Sequence, residues 1–162
     1  MAKNKSANTR IDIKPKLRDG MTALLNQQLA DTLDLYTQVK QAHWNVKGPN
    51  FIALHELFDK LAEDLEEPVD DIAERITALG GVAIGTARAA ARTSRLAEFP
   101  LDRVEGLKAI DLLADRYAAL AKTTRAAIET ASKEGDADTS DLFTGISRGL
   151  DKALWFLEAH LA

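Results

Sequence analysis

Leu54, Leu57, Phe58, Leu61, Leu65, Val69, Ile72 and Ile76 follow one another mostly at steps of three and four residues. At about 100° per residue they fall in an arc of roughly 120°. The opposite side carries His55, Asp59, Glu63, Glu66, Asp70 and Glu74, gathered within about 100° of one another. A segment patterned this way is an amphipathic helix, since a strand would alternate with a period of two. It is predicted over about residues 51–79, opening after Lys47-Gly48-Pro49-Asn50 with Asn50 as N-cap and closing at Gly80-Gly81. Pro68 is its anomaly: it removes a backbone donor and crowds the preceding turn, which predicts a kink.

A helix with one apolar stripe needs partners to cover it. Met21, Leu25, Leu29, Leu33, Tyr36 and Val39 give a second stripe, over about residues 17–46. Leu107, Ile110, Leu113, Tyr117, Leu120, Thr124 and Ile128 give a third. That helix is predicted from Asp102, with Glu105 as a capping-box analogue, to about residue 133. Phe143, Ile146, Leu150, Leu154 and Leu157 give a fourth, over about residues 139–160. The connection 82–101 is long for a bundle, so the second and third helices are expected to be joined by a cross-bundle link, its Ala-rich run 87–91 forming a short helix. Strand signals and internal repeats are absent. The predicted fold class is all-α, a four-helix bundle with a short helix in the long connection between its second and third helices.

The 162 residues, 46% of them hydrophobic, suffice for one such core. Cysteine is absent, which excludes disulfides, thiol catalysis and iron–sulfur ligation. No run approaches the roughly 18 apolar residues of a membrane span, and no apolar region follows the charged N-terminus. A cytoplasmic protein with no membrane partner is therefore expected. The net charge of −4 argues against a globally basic nucleic-acid binder. Residues 1–18 are the exception, with Lys3, Lys5, Arg10, Lys14, Lys16 and Arg18 against one acid, Asp12. Residues 1–15 are expected to form a flexible basic arm ahead of a bundle over 16–162. Lys3, Lys5 and Arg10 would neutralise DNA phosphates without reading sequence, or the arm is a solubilising tail.

An acidic face edged by histidine suits a hard or borderline metal such as iron, although an acidic stripe alone is more often a solvated surface. One further step of the first helix's apolar stripe beyond Val39 reaches His43, beside Trp44, where a lone histidine is ordinarily a satisfied core residue. The Glu-x-x-His pairs of di-iron bundles are missing. His160 follows Glu158 by two residues, not three, and reads as a surface residue. The candidates are therefore His43, His55, Asp59, Asp70 and Glu74. On one helix His55 and Asp70 stand roughly 22 Å apart, whereas the ligands of one ion lie about 2–2.5 Å from it. His55 can converge with Asp59, and Asp70 with Glu74. The two pairs meet only if a second copy of the helix runs antiparallel about a two-fold axis near residues 63–65. The dimer then carries two identical sites, each shared between subunits.

The string AHWNVKGPNFIALHELFD, followed by DDIAERITALGGVAIGT, LADRYAALA and DLFTGISRGLDKALWFLEAHL, resembles the Dps family, the DNA-binding proteins from starved cells. The resemblance implies a ferritin-like bundle, a homododecameric shell, and ferroxidase sites at two-fold interfaces. His43, His55 and Asp59 would come from one subunit and Asp70 and Glu74 from its mate. Iron(II) would be oxidised there, preferably by hydrogen peroxide, and iron(III) stored inside the shell, protecting DNA from oxidative damage. The alternative is a structural nucleoid protein that binds DNA through its arm. In this scheme Asp70 and Glu74 are the firmest ligands, His43 and His55 supply nitrogen, and Asp59 binds directly or orients a histidine or a bound water. Trp44 and Trp155 stand near the site or pack in the core. Glu63, Glu66 and Glu67 line the cavity or are ordinary exposed acids. Asp136, Asp138 and Asp141 line three-fold pores or serve as cap and first-turn residues.

Overall fold

The computed structural model describes residues 7–102 and 104–162. Five helices follow in order: α1 (Pro15–Asn45), α2 (Phe51–Ala78), α3 (Ala87–Thr93), α4 (Gly106–Glu134) and α5 (Ala137–Glu158). α1 pairs with α2 and α4 with α5. Contacts of α1 with α4 and of α2 with α5 join the two hairpins, and α3 lies against α1. This is the four-helix bundle with an extra short helix that the periodicity predicts. The only β pairing among the described residues is an isolated parallel bridge between Lys47 and Glu105.

The core is drawn from the predicted stripes. Met21, Leu25, Leu29 and Val39 of α1 meet Leu54, Phe58, Leu61, Leu65, Ile72 and Ile76 of α2. Ile110, Leu113, Tyr117 and Leu120 of α4 and Phe143, Ile146, Leu150 and Leu157 of α5 close the other half. Leu33 and Tyr36 sit at the edge, half-buried, while Leu35 is fully buried in their place. Leu107, expected inside, is exposed.

Local chemistry sets the boundaries. Pro15 occupies the first turn of α1, where its missing N–H costs nothing. Asn50 stands at the N-cap of α2, but its side chain makes no cap hydrogen bond. α2 runs on through Pro68 without a break in the helix. It ends at Ala78 with Leu79 as C-cap, and Gly80 (φ +84°) then turns the chain, the Gly81 N–H donating to the Ile76 carbonyl at 2.9 Å. The third long helix does not begin at Asp102. It begins at Gly106, with Glu105 as N-cap in extended conformation. Glu105 is held in the bridge to Lys47, and a Cβ on Gly106 would stand 2.6 Å from Leu54 Cδ1. Tertiary contact, not local capping, thus sets that start.

The crossover is tied to α1 by polar contacts that no apolar pattern announces. Asp31, fully buried, accepts from the Arg95 main chain at 2.8 Å and from Arg95 Nε at 2.9 Å. Asp34 accepts from Ser94 Oγ, and Gln38 Nε2 donates to the Ala97 carbonyl at 3.1 Å. These bonds fix α3 and the irregular segment after it across the face of α1.

Candidate metal centre

His43 ends the buried side of α1 and His55 opens α2, so the turn between the two helices brings them face to face. Their rings stack with centroids 3.9 Å apart and planes 23° from parallel. Each imidazole bonds to the other's main chain: His43 Nδ1 to the His55 carbonyl at 2.9 Å, and His55 Nδ1 to the His43 carbonyl at 3.0 Å. A carbonyl oxygen only accepts, so both Nδ1 atoms carry the proton. In the neutral ring each Nε2 is then left with its lone pair, the state a metal ligand requires.

Asp59, one helical turn beyond His55, is the third member. Its Oδ1 lies 3.7 Å from His43 Nε2 and accepts from Lys40 Nζ at 2.8 Å. The hydrogen bond from Lys40 holds the Asp59 carboxyl below its ordinary range, and the same bond raises the Lys40 ammonium. Asp59 is thereby preset as an anion. Lys40 escaped the sequence reasoning. Its one readable signal is its place three residues before His43, on the same face of α1.

Asp70 and Glu74 are exposed on later turns of α2. Within one chain they do not join the histidines. Among the described residues no group of three or more His, Asp or Glu side chains is arranged to hold an ion. The structure therefore places the five candidates as two separated sets: His43, His55 and Asp59 at one end of α2, and Asp70 and Glu74 roughly 22 Å along it, on the helix rise from His55 to Asp70.

The two tryptophans are not core residues. Trp44 is 66% exposed and Trp155 63% exposed. Trp44 stands over the Lys40 ammonium at 5.9 Å, while Phe51 lies 5.2 Å from the His55 ring. With Ile52 they leave an apolar surface beside the histidines. Glu63, Glu66 and Glu67 are exposed, Glu66 accepting from the Tyr36 hydroxyl at 3.4 Å.

At the start of α5 the three aspartates divide. Asp136 is buried as the N-cap, accepting from Thr139 N at 3.0 Å, Thr139 Oγ1 at 2.6 Å and Arg75 Nη2 at 2.7 Å. Its carboxylate is committed inward. Asp138 and Asp141 are the exposed acids there. Lys3 and Lys5 lie outside the described residues. Arg10 is exposed, and residues 7–14 lie along the bundle, with Ile13 packed on the core.

An all-α bundle whose second helix carries carboxylates and histidine on one face is ferritin-like in class. The family model for the ferritin-like domain matches residues 22–162. The DNA protection during starvation protein of Agrobacterium fabrum is 43% identical over 157 residues, covering 97% of each chain. DpsC from Streptomyces coelicolor superposes with a TM-score of 0.95 at 28% identity, covering 100% of this chain and 95% of that one. The Vibrio cholerae Dps protein, described as a member of a broad superfamily of ferritin-like diiron-carboxylate proteins, gives 0.90 at 27% identity over 98% and 99%. The chain belongs to the Dps family.

Proposed function

We propose that this protein is a ferroxidase and iron store that oxidises iron(II) at sites shared between two copies of the chain. The observation that carries the reading is the reciprocal Nδ1–carbonyl pairing of His43 and His55, which leaves two Nε2 lone pairs beside an anionic Asp59. A core histidine pair would have both nitrogens satisfied. The separation of this cluster from Asp70 and Glu74 supports a site completed by the antiparallel α2 of a partner, within a closed dodecamer of such pairs.

Each group then has a task. His43 and His55 supply nitrogen in a fixed tautomer, and Asp70 and Glu74 of the mate supply hard oxygen donors that favour the ferric product. Asp59, held by Lys40, binds directly or orients a bound water. Iron(II) is the substrate: two ions give one electron each to one hydrogen peroxide, which takes up two protons and leaves as two waters. Drawing both electrons from paired ions avoids the one-electron cleavage that releases hydroxyl radical. Asp138 and Asp141 supply negative potential at the proposed entry, and Glu63, Glu66 and Glu67 offer carboxylates to the growing mineral.

The test is the initial rate of iron(II) oxidation by peroxide. The intact protein should exceed buffer, and His43→Ala should lose at least about tenfold. A rate equal to buffer for the intact protein rejects the reading.

A second reading, binding of DNA without sequence preference in a cytoplasmic, nucleoid-associated role, is favoured by the basic excess of residues 1–18. Lys3, Lys5 and Arg10 would act together from many subunits.

A further inference from the structure

Where the crossover passes α1 it leaves a cavity of about 550 Å3, between Asp34, Gln38 and Trp44 on the helix and Ser94, Leu96 and Glu98 at and after the end of α3. Asp34 and Gln38 lie about 180° and 140° around α1 from His43, so this face is not the one that carries the metal centre. A space of that size suits a small molecule. Trp44, 66% exposed, and Leu101, 79% exposed, give it apolar walls.

Its charge is all of one sign. Asp34 and Glu98 line it, and no Lys, Arg or His does. Asp34 accepts from Gln38 Nε2 at 3.1 Å and from Ser94 Oγ, both neutral donors. Among the described residues, neither carboxylate is in an ion pair. The Lys40 ammonium, 5.9 Å from the Trp44 ring, is held by Asp59 and does not line the cavity. Gln38 gives an independent sign. It is only 5% exposed, and its Nε2 donates both to Asp34 Oδ1 and to the Ala97 carbonyl at 3.1 Å. Both partners accept, which fixes the orientation of the amide. Its Oε1 is then left buried with no hydrogen-bond partner, a state that favours the arrival of a donor.

We propose that this cavity binds an aliphatic diamine in its doubly protonated form. One ammonium lies at Asp34 and supplies the hydrogen that Gln38 Oε1 lacks. The other meets Glu98. The methylene chain between them covers the apolar side chains of Trp44, Leu96 and Leu101. A hard metal dication would satisfy the carboxylates but leave those walls in water, and it would seek more oxygen donors than two carboxylates supply.

The experiment titrates the full chain with 1,4-diaminobutane in a calorimeter at fixed ionic strength. Saturable binding at one site per chain is expected. Glu98→Gln alters an exposed side chain, and Asp34→Asn keeps an oxygen for Ser94. Each should weaken binding roughly threefold to tenfold. Butylamine, with a single ammonium on the same chain, should bind more weakly by a similar factor. In a Trp155→Phe background Trp44 is the one tryptophan, and its emission should change with the calorimetric midpoint. No saturable binding by the unaltered chain overturns the site. Binding that neither substitution weakens, or that leaves Trp44 emission unchanged, places the diamine elsewhere and overturns the assignment. Butylamine or magnesium chloride binding as tightly as the diamine overturns the ligand class.

Discussion

The shared site makes a quantitative prediction about mixed subunits. One variant carries His43→Ala and His55→Ala, the other Asp70→Asn and Glu74→Gln. On α2 the His55 and Asp70 positions stand roughly 22 Å apart, too far for one ion. Each site must therefore draw one set from each chain. Homodimers of either variant contain only broken sites, and each variant alone should oxidise iron(II) at less than about a tenth of the unaltered rate. In a heterodimer, two-fold symmetry delivers both intact sets to one site and both broken sets to the other. Random pairing of equal amounts makes half the dimers mixed, so about one quarter of all sites are whole. The variants are unfolded together, refolded, and compared with the unaltered protein by initial rate with peroxide. Recovery to about a quarter of the full rate is expected. A mixture no faster than its parents refutes the shared site, because chains that each carried a complete site could not rescue one another. Full activity in either variant alone refutes the assignment of the donors.

Two further outcomes follow from contacts in the structure. Lys40→Met should let the Asp59 carboxyl titrate at a higher pH, since the Lys40 hydrogen bond is the main cause of its depression. A depressed carboxylate favours the folded state above its ordinary pKa and loses that effect as pH falls through the lowered value, so any stability lost on Lys40→Met is present at neutral pH and disappears in acid. An Asp59 titration by NMR that does not move would contradict this. Arg95→Ala removes the side-chain donors from buried Asp31, which keeps only the bonds from Arg95 N at 2.8 Å and Gln27 Nε2 at 3.2 Å. Because Arg95 is itself half-exposed, the loss is expected to be about 1–3 kcal/mol, below that of a fully buried pair. Chemical denaturation should show a lower midpoint, and an unchanged one would remove the buried carboxylate as the anchor of the crossover.

Helices, core faces and the acidic stripe of α2 were legible because they depend on periodicity, and periodicity is local. Leu54 to Ile76 could only be a helix buried on one side, and the distance from His55 to Asp70 follows from the rise per residue alone. The start of α5 was expected near residue 139, whereas the cap at Asp136 starts it at Ala137. Contacts between segments distant in sequence were not legible. The start of α4 depends on Glu105 meeting Lys47 and on Gly106 meeting Leu54, contacts between residues more than 50 positions apart that leave no local mark. His43 looked like a core residue from α1 alone. It became a ligand candidate in geometry only when the turn placed its Nδ1 against the His55 carbonyl and left its Nε2 free. The same packing decided that Asp136 faces Arg75 instead of solvent, that Lys40 claims Asp59, and that the Ala7 N–H meets the Gly80 carbonyl. The sequence by itself determined which residues share a face, because a helix repeats every 3.6 residues. Only the tertiary structure decided which lone pairs and charges stay free, because each hydrogen bond that occupies them comes from another part of the chain.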